Sequence, residues 1–576
     1  MAVEVERATR TKTIASLWGR AKDRSGTAYL TEKDGSWEET SWPDAADAVD
    51  EIANGLLALG VRKGDALGIL GRTKLEWVLF DWALASIGAI GVGIYPSLPP
   101  KDCAYVLDHS DSVGVLVEND EQRAKIDAER DSLPKLQHVL AFDELDALRA
   151  RGREFAADNP DALEESRSAV GEDDLFTYIY TSGTTGPPKG CMIKHRNYYS
   201  MVAAVDDVPK FIGTDDLILL YLPLAHNFGR CLHLLAGYVG CTLAFCPDPT
   251  QVGEFAVQVK PTVLPSVPRV FEKVHTAVQT SFDEATGLKR RLIDWALRVG
   301  KRVSELEQAG KPVPAGLAAQ HRIADRLVYS KVKAKLGGRL RLPISGGAPL
   351  AKEIAEFFHT IDILICEGYG QTECTTASNV NMPMPAGFRF GTVGPAIPGI
   401  EVRTADDGEV LVRGPNLFAG YYKDEAATRE VMDEEGWLHT GDVGSIDDGF
   451  LTITDRKKDI IVTAGGKNVS PQNIENELKA SKYVSQALVI GDRRPFLTAL
   501  ITLDEAARGL SDAQSLIQEV VDEVNRDKAS FEQVKRFAIP PRDFTAEDDE
   551  VTPTLKLKRK VVGEHFADEI EALYVR

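Results

Sequence analysis

A chain of 576 residues, 43% of them apolar, has room for roughly three or four folding units with large cores. Its formal charge of −20 and pI near 5.1 argue against nonspecific binding to nucleic acid or anionic lipid, so any polyanionic ligand must be held by local cations. Seven scattered cysteines without a CxxC pair read as reduced thiols of a cytoplasmic protein, not as a disulfide framework or a zinc site.

At the N-terminus Glu4, Glu6 and Arg7 have no apolar core behind them, which is not the pattern of a signal peptide. Over the first 150 residues amphipathic helical segments alternate with short Val/Ile/Leu runs. Apolar spacing predicts a helix over 45–59, while DALGILG at 65–71 and VGVLVEN at 113–119 read as strands. That rhythm predicts a largely parallel sheet wrapped by helices, a layout that binds ligands at the carboxyl ends of its strands. The longest apolar run, 82–95, is shorter than the roughly 20 residues a spanning helix needs. With Asp81 beside it, it reads as a buried helix running into a strand. The acidic stretch 143–175 reads as a helix and connector.

The rest of the chain is organised around YIYTSGTTGPPKG at 178–190. Tyr178, Ile179 and Tyr180 read as a buried strand, emptying into a loop rich in hydroxyls and glycine with one lysine. Backbone N–H groups, the hydroxyls of Thr181, Ser182, Thr184 and Thr185, and the Lys189 ammonium can together replace the water lost by phosphate oxygens. Gly183, Gly186 and Gly190 lack a Cβ and permit close approach. The P-loop pattern fails twice, with Pro188 where its second glycine and Gly190 where its Ser/Thr belongs.

Downstream, residues 216–230 read as a strand that stops at Pro223 and delivers His226 to a helix start. From Pro265 to Leu342 a helical pattern runs with a break near 310–316 and predominantly solvated charged faces. SGGAPL at 345–350, a helix, a strand IDILICE at 361–367 and GYGQTE at 368–373 follow. Two glycine loops at strand ends, one bearing Tyr369, suit a flat heteroaromatic base. Asp442 in GWLHTGD and Arg456 in DRKKD form a sensible pair for a ribose diol and a phosphate. The final 118 residues read as strands at VSQALVIGD and LTALITL, helices near 512–526 and 530–536, and a basic, mostly solvated segment at 552–562.

These motifs, in this order over about residues 40–570, resemble the adenylate-forming superfamily of acyl-CoA synthetases, luciferases and peptide-synthetase adenylation domains. The PSVPRVFEKV opening and the long helical insertion resemble its long-chain fatty-acid-CoA ligases. The resemblance implies an α/β fold: a large N-terminal domain, 1–457, of layered, mostly parallel sheets plus a small β-barrel-like subdomain, and a small mobile α+β C-terminal domain, 458–576. It implies ATP, Mg²⁺ and coenzyme A as ligands, with a fatty acid converted first to acyl-AMP and then to the CoA thioester. Adenylation domains that take amino acids have an aspartate near His226; LPLAHNFGRCLHLLAGYVG offers no carboxylate, which fits an uncharged acyl group.

By resemblance, Gly346, Gly347 and Ala348 border adenine, Glu367 meets its amino group, and Gly368, Tyr369 and Gly370 complete the slot. Thr372 reaches the α-phosphate, Glu373 and Thr184 serve Mg²⁺, His226 lies beside the acyl site, and Asp442 and Arg456 meet the ribose. Arg230 stands where one bacterial long-chain group has a gating tryptophan. Lys458 is the hinge, and Lys556 bridges the substrate carboxylate and α-phosphate, although Thr554 and Leu555 replace a common Ser-Gly. Gly465, Gly466 and Lys467 approach CoA in the second step, whose phosphates Arg493 and Arg494 could meet. The same motifs leave open a fatty acyl-AMP ligase that loads a carrier protein, a medium-chain or aromatic acid CoA ligase, and a noncatalytic binding protein. A lipid substrate also leaves room for transient, peripheral membrane contact.

Overall fold

Strands that are apolar at every position need cover on both faces, and Ala66–Leu70, Ile90–Ile94 and Gly114–Val117 are buried throughout. In the computed structural model, which describes residues 11–19, 21–181, 187–209, 211–526, 528–545, 547–552 and 557–575, they form the centre of a six-stranded sheet. Its order is His138–Ala141, Gly114–Val117, Ala66–Leu70, Ile90–Ile94, Leu175–Thr181 and Lys189–Lys194, parallel except for the last strand. The apolar run at 82–95 is indeed a buried helix, Leu75–Ile87, ended by Gly88 at φ 70 and followed by strand Ile90–Ile94.

A second sheet of eight strands has a parallel centre built from Thr242–Phe245, Leu217–Leu220, Val263–Ser266, Leu342–Ser345 and Cys366–Tyr369. One hydrophobic core joins both sheets with the helices between them, including the stacked rings of Trp18 and Trp82 at 4.7 Å. The small barrel-like unit is a curled antiparallel meander of Glu401–Thr404, Glu409–Arg413, Leu438–Asp447 and Phe450–Arg456. The helical insertion runs through Pro268–Asp283, Gly287–Gln308 and Ala315–Ala324 with its own core; it breaks at 309–314, where a break was expected near 310–316, and also at 284–286. Beyond 458 lie a short hairpin, Ile461–Val462 with Asn468–Val469, and a three-stranded sheet of Val484–Ile490, Leu497–Leu503 and Val534–Ala538.

Two expectations change. The segment 530–536 is not a helix: Val534–Ala538 is a strand parallel to Leu497–Leu503. Its register slips between Leu497↔Val534 and Thr498↔Arg536, leaving Lys535 as a bulge, so Val534 and Phe537 are both buried at a spacing of three that imitates a helix. The strand expected over 361–367 begins only at Cys366, because Asp362 adopts φ 60 and Ile361, Ile363 and Ile365 fill the helical core as loop residues. Among the described residues no helix is long and apolar enough to cross a membrane.

Candidate functional site

Strand Leu175–Thr181 pairs antiparallel with Lys189–Lys194, Thr181 opposite Lys189, so the chain must reverse between them. Ser182, Gly183, Thr184 and Thr185 lie outside the described residues, but Thr181 and Lys189 flank them and both line a cavity of about 2290 Å³. The Lys189 ammonium lies 3.5 Å from Asp424 and 5.1 Å above the Tyr421 ring.

Parallel pairing of Ile344 with Cys366 and Ser345 with Glu367 sends two strand ends to the same edge of the eight-stranded sheet. Gly346, Gly347, Ala348, Glu367, Gly368, Tyr369 and Gly370 therefore line the cavity together. At Gly370 a Cβ would fall 2.3 Å from the Thr376 carbonyl, so only glycine fits that turn. Burial pushes the Glu367 carboxyl up to about 8, with the Leu350 N–H at 3.3 Å as partial compensation. The Tyr369 hydroxyl donates to Asp442 Oδ2 at 2.6 Å, and Asp442 faces Arg456 across the meander, with Nε 3.5 Å from Oδ1. The Asp–Arg pair read from two separate motifs is thus a cross-strand pair with a tyrosine on the second carboxylate oxygen.

Thr372 is buried in the short 3₁₀ turn Thr372–Cys374, and the next residues, Thr375 at φ 45 and Thr376 at φ 99, hold a strained reversal of the kind found at binding sites. Glu373 Oε1 accepts from the Tyr421 hydroxyl at 2.6 Å, and no cation pairs with this carboxylate among the described residues. Tyr421 was not visible as a site residue in the sequence. It bridges backbone to Cys191 and so fastens the meander side of the cavity to the strand after the phosphate loop.

His226 caps the helix Asn227–Val239, its Nδ1 accepting from the Phe228 N–H at 3.2 Å, which leaves the proton on Nε2. One face of that helix, Phe228, Cys231, Leu232 and Leu235, follows the i, i+3, i+4, i+7 spacing and lines an apolar arm of the cavity. Met201, Val205, Val208 and Phe211 line it as well. Arg230 does not line this arm: it is buried on the opposite face of the helix against Asp81.

Lys458 lines the cavity from an exposed position just after strand Phe450–Arg456, its ammonium pushed below the usual lysine range by desolvation on the cavity side and by Arg456. Lys556 lies outside the described residues, while Thr552, Leu557 and Lys558 line the cavity. Gly465, Gly466 and Lys467 are not brought to it. They form the exposed tip of the hairpin, with Lys467 5.8 Å from the Phe531 ring. Arg494 spends its guanidinium on Glu571, and Arg493 is exposed beside Asp492. Nor is all of the basic 552–562 segment solvated: Arg559 grips both oxygens of buried Glu475 at 2.6 and 2.7 Å.

Residues 17–422 match the family model described as AMP-binding enzyme, and residues 458–576 match the AMP-binding enzyme C-terminal domain. The chain belongs to the AMP-binding enzyme family. Among its relatives, the long-chain-fatty-acid–CoA ligase FadD15 of Mycobacterium bovis is 39% identical over 567 residues, covering 94% of this chain and 93% of that protein. The long-chain-fatty-acid–CoA ligase ACSBG2 of Xenopus laevis is 32% identical, covering 98% and 84%. The fold of this AMP-binding enzyme is shared by the adenylation domain of a carboxylate reductase from Mycobacterium chelonae, with a TM-score of 0.76, 23% identity and coverage of 98% and 91%. It is also shared by a Mycobacterium tuberculosis fatty acyl CoA synthetase, with a TM-score of 0.64, 24% identity and coverage of 97% and 99%.

Proposed function

We propose that this AMP-binding enzyme joins a long-chain fatty acid to coenzyme A at the expense of ATP, through acyl-AMP. One observation carries the reading: the apolar arm along Phe228, Cys231, Leu232 and Leu235 opens into the same cavity as Tyr369, Asp442, Arg456, Thr372 and Lys189. An alkyl chain in the arm directs its carboxylate toward a nucleotide whose base lies against Tyr369 and whose ribose meets Asp442. The carboxylate then attacks the α-phosphorus and pyrophosphate leaves; in the second half-reaction the CoA thiol attacks the acyl carbonyl and AMP leaves. No protein nucleophile is needed, and catalysis rests on aligning two anions while screening their charge. Thr372 and Lys189 supply that screening beside the phosphates, with Lys556 added from the C-terminal segment.

Magnesium fits Glu373: its charge meets only a neutral phenol among the described residues, and one carboxylate plus phosphate oxygens is a preferred environment for that ion. Glu373 and Thr184 would hold it, and it would neutralise charge on the departing pyrophosphate. Residues 1–457 are the acyl- and nucleotide-binding domain, and 458–576 the mobile domain turning about Lys458. That turn would carry Gly465, Gly466 and Lys467 from their exposed hairpin toward CoA.

We also infer a reducing, cytoplasmic setting with transient contact to anionic bilayers. All seven cysteines are free and buried, which supports the first. For the second, residues 265–342 carry sixteen Lys/Arg against seven Asp/Glu, a surplus of nine in a chain whose total is −20. Arg291, Arg298, Lys301, Arg302, Arg322 and Arg326 are exposed there without ion pairs among the described residues, near exposed Leu288, Ile323 and Leu327.

The test is a panel of acids from hexanoate to oleate, scored by AMP release with CoA present. Turnover rising toward the long chains is expected. Acyl-AMP without acyl-CoA would assign a carrier-protein acceptor, best turnover on medium-chain or aromatic acids a different subgroup, and no AMP from any acid would overturn the reading.

A further inference from the structure

The helix that lines the acyl arm is held from behind by a buried polar cluster that the reaction itself does not use. Arg230, on the face of Asn227–Val239 opposite Phe228, Cys231, Leu232 and Leu235, is 1% exposed, and Asp81, on helix Leu75–Ile87, is fully buried. Nε of Arg230 donates to Asp81 Oδ2 at 3.1 Å and Nη2 donates to Oδ1. The third edge of the guanidinium, Nη1, donates to Thr177 Oγ1 at 2.5 Å, and Thr177 in turn donates to the Gly91 carbonyl at 2.6 Å. His233, one turn along, completes the acceptor's shell, its Nε2 lying 2.9 Å from Asp81 Oδ2. Burial alone would raise the Asp81 carboxyl; Arg230 and His233 hold it below the ordinary aspartate range, so the pair stays charged. Rings of Phe176 and Trp77 lie 4.7 and 5.2 Å from the guanidinium carbon.

Thr177 sits on strand Leu175–Thr181, whose end enters the cavity at Thr181 beside the loop expected to take phosphate. Arg230 therefore ties the wall of the acyl arm to the strand that presents the phosphate loop. Its neighbours leave no slack: a Cβ at Gly91 would fall 2.6 Å from Arg230 Nη2 and 3.0 Å from Asp81 Oδ1. Only a planar fork with three donor edges reaches both carboxylate oxygens and the threonine at once.

We propose that Arg230 is a positioning residue that fixes the register of the acyl helix against the phosphate-loop strand, and so sets how deep a long chain must sit for its carboxylate to reach the α-phosphorus. The inference rests on the fatty-acid reading above. A short acid touches only the mouth of the arm and tolerates slippage of the helix; a long one, engaged as far as Leu235, does not.

Thr177→Val removes the tie while keeping the Asp81 pair, Arg230→Lys keeps the charge without the fork, and Thr177→Ser keeps the hydroxyl. Each is assayed for AMP binding, then for acyl-CoA formation from hexanoate and palmitate. The expected result is AMP affinity and hexanoate turnover within about twofold of wild type in Thr177→Val and Arg230→Lys, palmitate kcat/KM lowered about tenfold or more, and recovery in Thr177→Ser. An equal loss on both acids, no loss on either, or loss of AMP binding in both variants would make the cluster a folding element and overturn the proposal. Wild type that fails on every fatty acid would instead overturn the functional reading.

Discussion

Replacing Leu235 with tryptophan closes the far half of the apolar arm and tests whether that arm measures chain length. Phe228 and Leu235 are seven residues apart on one helix face, about 10 Å at about 1.5 Å rise per residue. Carbon–carbon bonds of about 1.5 Å in an extended zigzag cover that distance with roughly eight methylenes. An indole at 235 denies about half of them a place, and at about 0.8 kcal/mol per buried methylene the loss is about 3 kcal/mol. That corresponds to a fall of roughly 100-fold in kcat/KM on palmitate, since about 1.4 kcal/mol is tenfold. Hexanoate does not reach residue 235, so its kcat/KM stays within about twofold. The assay is initial-rate acyl-CoA formation over even-numbered acids from six to eighteen carbons, on wild type and Leu235→Trp. A uniform drop at all lengths, or undiminished turnover of palmitate, would refute the assignment of this face to the alkyl chain.

Glu367 has a pH signature: its folded value of about 8 stands above the ordinary 4.5, so between pH 5 and 8 the folded chain keeps a proton that the unfolded chain releases. Its stabilising contribution is present at low pH and is lost as pH rises through about 8, at up to about 1.4 kcal/mol per pH unit. Denaturant unfolding of Glu367→Gln should show a flatter stability profile than wild type over that window; parallel profiles would contradict it. Asp442→Ala removes the acceptor of Tyr369 and Arg456, and calorimetry should find AMP bound about 10- to 100-fold more weakly, as for loss of a charged hydrogen-bond partner worth about 1.5–3 kcal/mol. Reversing Arg298, Lys301 and Arg302 to glutamate should weaken sedimentation with anionic vesicles at low salt while leaving hexanoate turnover unchanged; equal sedimentation would remove the bilayer contact from this insertion.

The sequence made the parallel layers legible because strands such as Ala66–Leu70 and Ile90–Ile94 are apolar at every position, which only a doubly covered sheet explains. The pairing of Asp442 with Arg456 was chemically readable, but their register as direct cross-strand neighbours was not. Val534–Ala538 misled because a bulge resets alternation, and periodicity cannot distinguish that from a helical turn. Tyr421 carried no signal, since its role depends on a bridge to Cys191 more than 200 residues earlier in the chain. The Asp81–Arg230 pair was equally hidden: 149 residues separate its members, and Asp81 looked like the polar edge of an apolar run. The total of −20 likewise does not reveal that residues 265–342 carry a local surplus of Lys and Arg.

The central claim, that one cavity turns a fatty carboxylate into an adenylate and then a thioester, is tested most directly by mass spectrometry of the products. Purified protein given palmitate, ATP, magnesium and CoA should yield palmitoyl-CoA, AMP and pyrophosphate in equal amounts, with palmitoyl-AMP accumulating when CoA is left out. ADP and phosphate in place of AMP and pyrophosphate, or no acyl adenylate under either condition, would contradict it.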